Sequence, residues 1–376
     1  MWSCLLIEFA YNTYMKLTVR IGLMPNTEQV TALVSMTQRF NAAADWIAGE
    51  LFERKVSNKI EAQRLLYHEI RERFELSSQT AILALHRACE AYKRDKGIRP
   101  RFRKDAAITY DVRTLSFKGI DKVSMITLAG RIVVPIVVTG YQSERLGYPK
   151  GQCDLVRRKD GKWFLLVAVD VPDKPPLDPD DFIGVDLGIA NIATDSDGNQ
   201  HSGKAVDDVR RKHNLQRKRL QRKGTNGAKK KLKRVSQKEA RFRRHENHVI
   251  SKQLVETAKR TGRGIALENL EGIRQRVTAR GGEAMNRLSG WAFAQLGAFV
   301  GYKAQIAGVP LVYVDPRNTS RTCAECGYCE KANRKNQSDF SCKACGHSDH
   351  ADRNAALNIR ALALPKRATE LVSVSA

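Results

Sequence analysis

The sequence predicts an α+β protein of several domains, because three regions of the chain have different hydrophobic patterns. Apolar residues recur at helical spacing from Thr27 to about Arg94. From Ile108 to Val171 they alternate as in short strands separated by glycine turns. After the proline-rich segment 172–179, strand and helix patterns follow one another. These changes of period predict a helical part, a β part and a mixed α/β part.

The first half opens with a predicted strand over residues 16–24, which stops at Pro25-Asn26. Thr27 can cap the helix that follows. The opening strand is expected to join later strands in a small barrel or sandwich that the helices interrupt. Further helices are predicted over Ala43–Leu51, Ile60–Phe74 and Gln79–Tyr92, and strands over Ile108–Val112, Val123–Thr127, Arg131–Val138, Cys153–Lys159 and Trp163–Val171.

The second half begins with a predicted strand over Ile183–Thr194 and a hairpin turn at residues 195–199. Asp195, Asp197, Asp207 and Asp208 are interpreted as turn and capping residues. The remaining predicted elements are two helices, Val209–Arg222 and Ala228–Arg260, a strand at Gly264–Glu268, a helix at Gly282–Ala307, a strand at Leu311–Val314, a cysteine segment at 323–345, and a helix at Asp349–Leu364. The last ten residues are predicted to form a tail.

The composition predicts a polyanionic partner. The 376 residues include 65 Lys and Arg against 40 Asp and Glu, a net charge of +25. Nucleic acid is the commonest polyanion, and the alternatives are an acidic membrane surface or a basic surface without a partner. No apolar run approaches the roughly 20 residues that a bilayer-spanning helix requires. The charge therefore favours nucleic acid over a membrane.

The N-terminus and the cysteines predict a cytoplasmic, nucleoid-associated protein. Residues 1–14 are fairly apolar but lack the basic start and cleavage site of a signal peptide. Met15 is a more natural beginning for the chain. Eight cysteines in a chain of this kind favour metal ligation over a disulfide framework.

Four of the cysteines have the spacing of a zinc site. Two Cys-x2-Cys pairs, each followed by glycine, are separated by fifteen residues. Zn²⁺ prefers four tetrahedral ligands, and four thiolates leave no open position, which indicates a structural role. A redox dithiol pair, or buried cysteines without metal, is the alternative. Cys329 competes with Cys326, but the symmetric glycines favour Cys323, Cys326, Cys342 and Cys345 as the ligands.

Three carboxylates lie where an ordinary core would exclude them. Asp186 lies in an apolar strand, and Glu268 ends another. Asp352 lies in the first turn of the last helix, on the stripe that it shares with Ala356 and Ile359. Each could be an acid satisfied within the core, but three such acids are difficult to keep unless they share a cation. Two Mg²⁺ ions about 4 Å apart, bridged by carboxylates, are a standard way to cut a phosphodiester.

The two central helices are strongly basic. From Arg210 to Arg244 there are 17 Lys or Arg residues and one acid, Glu239. A solvated charged face or a disordered tail is the alternative, but apolar residues keep a rough helical period. Such helices can follow a phosphate backbone with little sequence readout. The residues predicted to contact nucleic-acid backbone are Arg210, Arg211, Lys212, Arg217, Lys218, Arg219, Arg222, Lys230, Lys233 and Arg234.

Together these motifs resemble the TnpB family, transposon-associated RNA-guided endonucleases similar to compact type V CRISPR effectors. The resemblance covers essentially residues 15–365, and the last two of its motifs are highly specific. N-terminal to residue 178 it is a likeness of pattern more than of residues. The motifs are Ile183-Gly-Val-Asp-Leu-Gly188, Glu268-Asn-Leu270, Asn318-Thr-Ser-Arg-Thr-Cys323 with the two cysteine knuckles, and Ala351-Asp-Arg-Asn-Ala-Ala-Leu-Asn-Ile359.

The resemblance implies an RNase H-like (RuvC) α/β nuclease domain with an inserted zinc ribbon, and an N-terminal wedge-type β-barrel interrupted by a helical recognition domain. The implied domains are an extension and first barrel strand (1–24), the recognition domain (25–95), the barrel (96–177), the nuclease (178–318, with basic helices 205–260), the ribbon (319–347), the last nuclease helix (348–365) and a tail (366–376).

The resemblance also implies the activity. Asp186, Glu268 and Asp352 would be catalytic and would bind two Mg²⁺ or Mn²⁺ ions, while one structural Zn²⁺ would sit in the ribbon. Guide RNA would pair with double-stranded target DNA beside a short flanking motif. The first helix and Gln79–Arg94 are candidates for reading that motif, and a monomer and a dimer both remain open. The alternatives are a DNA-binding regulator that does not cut, and a guide-free transposase or resolvase.

Overall fold

The computed structural model describes residues 14–148, 150–270 and 293–364, and the chain divides into two compact units, 1–172 and 173–376. The predicted α+β class is confirmed. The predictions for residues 1–13, 282–292 and 366–376 lie outside the described residues, and the seven-part domain division stays a prediction. Within the described ranges, no helix is both long and apolar enough to cross a bilayer.

The predicted helical block of the first unit is confirmed as three helices: α1 (Thr27–Glu53), α2 (Lys59–Phe74) and α3 (Ser78–Ala91). The two stretches expected before residue 52 form one continuous helix. The prediction that Thr27 caps this helix is wrong, because Asn26 is the capping residue and its side chain accepts the backbone N–H of Gln29. Gln29 in turn accepts the N–H of Asn26, which completes a capping box.

The sheet of the first unit has seven strands in the order β2-β6-β7-β1-β5-β4-β3, with every neighbouring pair antiparallel. The opening strand joins this sheet, as predicted, and it pairs with the last strand from Tyr14 to Leu23. The strand β3 and the short helix α4 were not predicted, because each is too short for a hydrophobic period to be recognised in the sequence. The elements are β1 (Tyr14–Leu23), β2 (Ile108–Tyr110), β3 (Leu115–Lys118), β4 (Lys122–Thr127), β5 (Gly130–Val137), α4 (Gly140–Leu146), β6 (Lys150–Arg157) and β7 (Trp163–Pro172).

The second unit contains a five-stranded sheet in the order β10-β9-β8-β11-β12. The sequence predicted one strand over Ile183–Thr194, and this is wrong. The segment turns back after Asp186, so that two antiparallel strands form and the acid lies at a strand end. β11 then runs parallel to both β8 and β12. The strands are β8 (Phe182–Asp186), β9 (Asn191–Asp195), β10 (Gln200–Ser202), β11 (Gly264–Glu268) and β12 (Leu311–Val314).

Four described helices accompany this sheet: α5 (Lys204–Lys223), α6 (Asn226–Thr261), α7 (Phe293–Ala307) and α8 (Ala351–Ala363). The helix α8 packs directly on β8 at Gly184. A Cβ added to Gly184 would lie 2.1 Å from the Ala356 carbonyl oxygen and 2.5 Å from the Arg360 backbone nitrogen. Since both are backbone atoms of α8, only glycine permits this close approach.

The predicted turn at residues 195–199 and the cysteine segment are also confirmed, whereas Asp207 and Asp208 lie within α5 and do not cap it. The Asp195 carboxylate accepts the N–H groups of Asp197 and Asn199 and closes the β9–β10 turn. The cysteine segment contains β13 (Asp339–Ser341), which pairs with β14 (Ser348–His350), and a small core in which Phe340 packs against buried cysteines. The segment therefore forms its own small fold between β12 and α8.

Candidate functional site

The three predicted acids lie at neighbouring element ends in the second unit. Asp186 ends β8 and Glu268 ends β11, and the parallel register pairs the preceding residues, Val185 and Leu267. The two carboxylates therefore emerge side by side from the same edge of the sheet. Asp352 lies in the first turn of α8, which packs on β8 at Gly184. Asp352 is only 7% exposed.

The electrostatics of the acids indicate that they form one group. Burial, followed by the charges of Glu268 and Asp352, raises the pKa of Asp186 to about 8. Burial likewise raises the pKa of Glu268. A carboxyl group with a raised pKa is one whose negative charge lacks compensation. The group is therefore a site for positive charge.

A guanidinium already supplies part of that charge. The Arg334 side chain, from the cysteine segment, lies 3.7 Å from the Asp352 carboxylate. Its charge lowers the pKa of both Asp186 and Glu268, against the larger effect of burial. Arg334 also donates to the carbonyls of Asn336 and Gln337 in its own loop, so the loop fixes its position.

Two further side chains orient the acids through hydrogen bonds. The Thr319 hydroxyl donates to Glu268 Oε1 at 2.6 Å, and the Asn191 amide donates to Asp352 Oδ2 at 3.0 Å. The sequence analysis identified neither of them, nor Arg334. Thr319 belongs to a segment that carried the family resemblance, which is a signal that could have found it. Nothing in the spacing of Asn191 or Arg334 distinguishes either from an ordinary loop residue.

The four predicted cysteines are brought together by the structure. Cys323 Sγ lies 3.7 Å from Cys345 Sγ, and Cys326 Sγ lies 3.6 Å from Cys342 Sγ. Four sulfurs bound tetrahedrally at about 2.3 Å from zinc would be about 3.8 Å apart. The competing residue, Cys329, is not in the group. The four-cysteine cluster can thus hold a zinc ion.

The backbone of each cysteine pair forms a tight turn at the glycine that follows it. Gly327 and Gly346 have φ of 74° and 76°, and each donates its N–H to the carbonyl of the first cysteine of its pair. The backbone N–H of Cys345 lowers the pKa of the Cys342 thiol to about 6. Since a metal binds the thiolate, this backbone favours metal binding at Cys342, whereas the neighbouring thiols raise the pKa of Cys326 and that of Cys345.

Ligand spacing separates the cysteines from the carboxylates. Over residues 14–148, 150–270 and 293–364, the cysteines are the one group of three or more His, Cys, Asp or Glu side chains whose ligand atoms all lie within 4.8 Å of each other. The three carboxylates interact electrostatically at a wider spacing, with Arg334 beside them. Their donor set, three buried or half-buried carboxylates, suits a hard divalent cation.

Asparagines of α8 attach the cysteine segment to the acids. Asn354, which is fully buried, donates to the Thr322 carbonyl and accepts the N–H of Ala324. Asn358 donates to the carbonyls of Thr319 and Thr322. These asparagines lie on the helix that carries Asp352, so one helix fixes both an acid and the base of the cysteine segment.

The basic helices form a hairpin. Gly224, with φ of 62°, ends α5, and the Thr225 side chain caps α6. Two of the residues predicted to contact the nucleic-acid backbone instead bond within the protein. Arg210 pairs with Asp207, and Arg217 bonds to Glu239 across the two helices. The other eight are exposed: Arg211, Lys212, Lys218, Arg219, Arg222, Lys230, Lys233 and Arg234. Arg211 also bonds to Asp207.

Two family models match the chain. The model described as a probable transposase matches residues 165–271, which include Asp186 and Glu268. The model described as a Cas12f1-like TNB domain matches residues 293–359, which include the cysteine cluster and Asp352. Together they cover most of the described part of the second unit.

Several known proteins are similar to this chain. A CRISPR-associated endodeoxyribonuclease Cas12f1 of Syntrophomonas palmitatica is 32% identical over 51% of this chain and 41% of its own length. A TnpB-like protein of Methanocaldococcus jannaschii is 29% identical over 56% of this chain and 80% of its own length. The chain spans about half or less of the Cas12f1 relatives that it matches.

One solved structure has a similar fold. The structure of the mini-RNA-guided endonuclease CRISPR-Cas phi3 aligns with a TM-score of 0.56, over 93% of this chain and 92% of that one. Because the two are only 11% identical, this likeness concerns the fold alone.

Proposed function

We propose that this chain, which matches two family models and is similar to a TnpB-like protein, is a member of the TnpB family and an RNA-guided DNA endonuclease whose catalytic acids are Asp186, Glu268 and Asp352. The observation that carries the proposal is their electrostatic coupling: the charges of Glu268 and Asp352 both raise the pKa of Asp186, although the three lie far apart in the sequence. Coupled buried acids in one place are expensive to keep without a function.

The sheet supports a nuclease domain of the RNase H (RuvC) type. Its order, β10-β9-β8-β11-β12, consists of an antiparallel meander followed by two parallel strands. In such a sheet the carboxyl ends of β8 and β11 share one edge, which is where an open α/β sheet places its site. α8 then delivers the third acid to this edge from outside the sheet.

The chemistry is phosphodiester hydrolysis. Two Mg²⁺ or Mn²⁺ ions bound by the three carboxylates would activate water and stabilise the leaving oxygen. The chain's own residues hold this donor set in place: Asn191 orients Asp352, and the strand ends fix Asp186 beside Glu268. Arg334 is placed to stabilise the negative charge of a phosphate at the cluster.

The ribbon is proposed to hold one structural zinc through Cys323, Cys326, Cys342 and Cys345. All four positions of a tetrahedral ion would be filled by thiolates, so no position would be open for catalysis. The cluster is expected to stabilise the loop that carries Arg334. The zinc would therefore act on the nuclease centre through the fold of the ribbon.

The proposed partners are a guide RNA and double-stranded target DNA, in the cytoplasm. Base pairing with the guide would read the target, while the protein would contact backbone and shape. The expected result is that the purified full-length chain carries a defined RNA and cuts DNA complementary to part of that RNA. Sequencing the bound RNA and incubating the complex with matching and scrambled DNA in Mg²⁺ would measure both.

Other outcomes of this experiment would contradict the proposal. DNA cutting by protein freed of RNA, with no dependence on sequence, would indicate a guide-free transposase or resolvase. RNA-dependent DNA binding without any cutting in Mg²⁺ or Mn²⁺ would indicate a regulator.

The exposed cations of the hairpin are proposed to bind phosphates. Replacing Lys230, Lys233 and Arg234 with glutamine together is expected to weaken nucleic-acid binding and to flatten its salt dependence. The slope of log K against log salt should fall by about 0.7–0.9 for each phosphate that the variant no longer binds. Titrations between low and high salt would measure it. The charge-preserving Lys230→Arg and Lys233→Arg variant should keep the wild-type slope, and an unchanged slope in the triple variant would exclude this surface.

A further inference from the structure

Thr319 lies where three parts of the second unit meet. It follows β12, precedes the first cysteine knuckle, and is 4% exposed. Its side chain contacts Glu268 at the end of β11, and its carbonyl accepts a hydrogen bond from Asn358 of α8 at 2.8 Å. Thr319 therefore connects one of the proposed catalytic acids to the helix that carries another.

The direction of the hydroxyl is determined by its acceptors. Thr319 Oγ1 lies 2.6 Å from Glu268 Oε1 and 3.1 Å from the Pro316 carbonyl oxygen. A hydroxyl has one proton, and a bond to a carboxylate is shorter and stronger than one to a neutral carbonyl. The proton therefore goes to Glu268 when that carboxylate is ionised.

The backbone of Thr319 is fixed independently of this bond. Asn318 has φ of 62°, and its carbonyl accepts the N–H groups of Arg321 and Thr322, which closes a tight turn. With Asn358 holding the carbonyl, the Thr319 side chain has little freedom to follow Glu268. The hydroxyl thus fixes where the Glu268 carboxylate points.

We propose that Thr319 is a positioning residue, whose hydroxyl orients the Glu268 carboxylate so that the three acids bind a divalent cation. This inference rests on the proposed nuclease function and deepens it. A carboxylate that is free to rotate would offer its oxygens to the cation in many directions, and binding would have to fix one of them. Hydrogen bonds to metal-binding carboxylates remove that cost in advance.

The test is Mn²⁺ binding to the full-length protein freed of RNA, measured by the electron paramagnetic resonance signal of free Mn²⁺. The binding that Asp186→Ala removes defines the part due to the acids. Thr319→Val, which deletes the hydroxyl and keeps the shape, is expected to weaken that binding by about ten- to a hundredfold. Thr319→Ser, which keeps the hydroxyl, should bind as the wild type does.

Matched variants separate positioning from folding. Thr322→Val removes a hydroxyl from the same turn, one that bonds only to the Asn318 carbonyl, and should leave Mn²⁺ affinity unchanged. In a Glu268→Ala background, Thr319→Val should cause no further loss of affinity. If circular dichroism shows that Thr319→Val is unfolded, Thr319→Ala takes its place and carries the same expectation.

Two results would overturn different claims. Wild-type Mn²⁺ affinity in a folded Thr319→Val or Thr319→Ala variant would overturn the positioning role and leave the nuclease proposal intact. Wild-type protein that binds no Mn²⁺ at the acids would overturn the proposed nuclease centre itself.

Discussion

Asp186→Asn is expected to abolish DNA cleavage while stabilising the protein when divalent ions are absent. The neutral amide would be a poorer ligand for a divalent cation than the carboxylate, so cleavage should fall by about a thousandfold or more. RNA-dependent DNA binding should persist, because the substitution leaves the basic hairpin unchanged. Cleavage and binding assays on the same preparation would measure both effects.

The stability effect follows from the pKa of Asp186, which burial, Glu268 and Asp352 raise to about 8. The folded state keeps the proton up to that pH, whereas the unfolded state loses it near pH 4. Between these values the unfolded state binds fewer protons, so stability falls as the pH rises, by at most about 1.4 kcal/mol per pH unit. The asparagine variant does not have this loss.

Chemical denaturation of both proteins at pH 5 and pH 8.5, with a chelator present to remove divalent ions, would measure the difference in their free energies of unfolding. Between pH 5 and pH 8.5 the stability of the asparagine variant is expected to rise relative to that of the wild type, by up to about 4 kcal/mol. Asp208→Asn replaces an exposed acid outside the cluster, and its difference in stability from the wild type should be the same at both pH values. An asparagine variant that is less stable than the wild type at pH 8.5 would contradict the proposed burial of an uncompensated charge.

Gly184→Ala is expected to destabilise the second unit and to abolish cleavage. The added Cβ would meet backbone atoms of α8 at 2.1 and 2.5 Å, and backbone cannot rotate away as a side chain can. α8 must shift, and Asp352 shifts with it relative to Asp186. Overpacking of this kind costs about 1–3 kcal/mol or more. Thermal unfolding and cleavage rates of the full-length protein would measure the two effects.

Gly301→Ala is the matched control, since its Cβ would meet Leu311 Cδ2 at an ordinary 3.7 Å. It lies within α7, where alanine favours the helix by up to about 1 kcal/mol, so stability should hold or rise. A Gly184→Ala protein with wild-type stability and wild-type cleavage would show that the close approach of α8 does not position the acids.

The sequence predicted most elements because they are long enough for their hydrophobic periods to be recognised. α2, α3, α5, α6 and β11 were found within a few residues of their observed ends. The prediction of a single strand over Ile183–Thr194 was wrong, because both halves of the hairpin are apolar and the intervening turn, with Gly188, has no strong turn signal. β3 and α4 contain too few residues for a period to be recognised.

By itself, the sequence predicted a polyanionic partner and identified the residues that could carry the chemistry. The 17 Lys or Arg residues between Arg210 and Arg244, two cysteine knuckles at fixed spacing, and acids at the ends of apolar segments are local features. Each can be recognised within about thirty residues, because charge, ligand spacing and periodicity are short-range properties.

Only the tertiary structure decided what surrounds the acids. Asp186 and Glu268 became neighbours through the parallel pairing of β8 with β11, and Asp352 joined them because Gly184 admits α8. The same packing placed Arg334 and Thr319 at the cluster. These contacts join residues tens to over a hundred positions apart, and they depend on strand order and helix packing, which no local pattern in one sequence specifies.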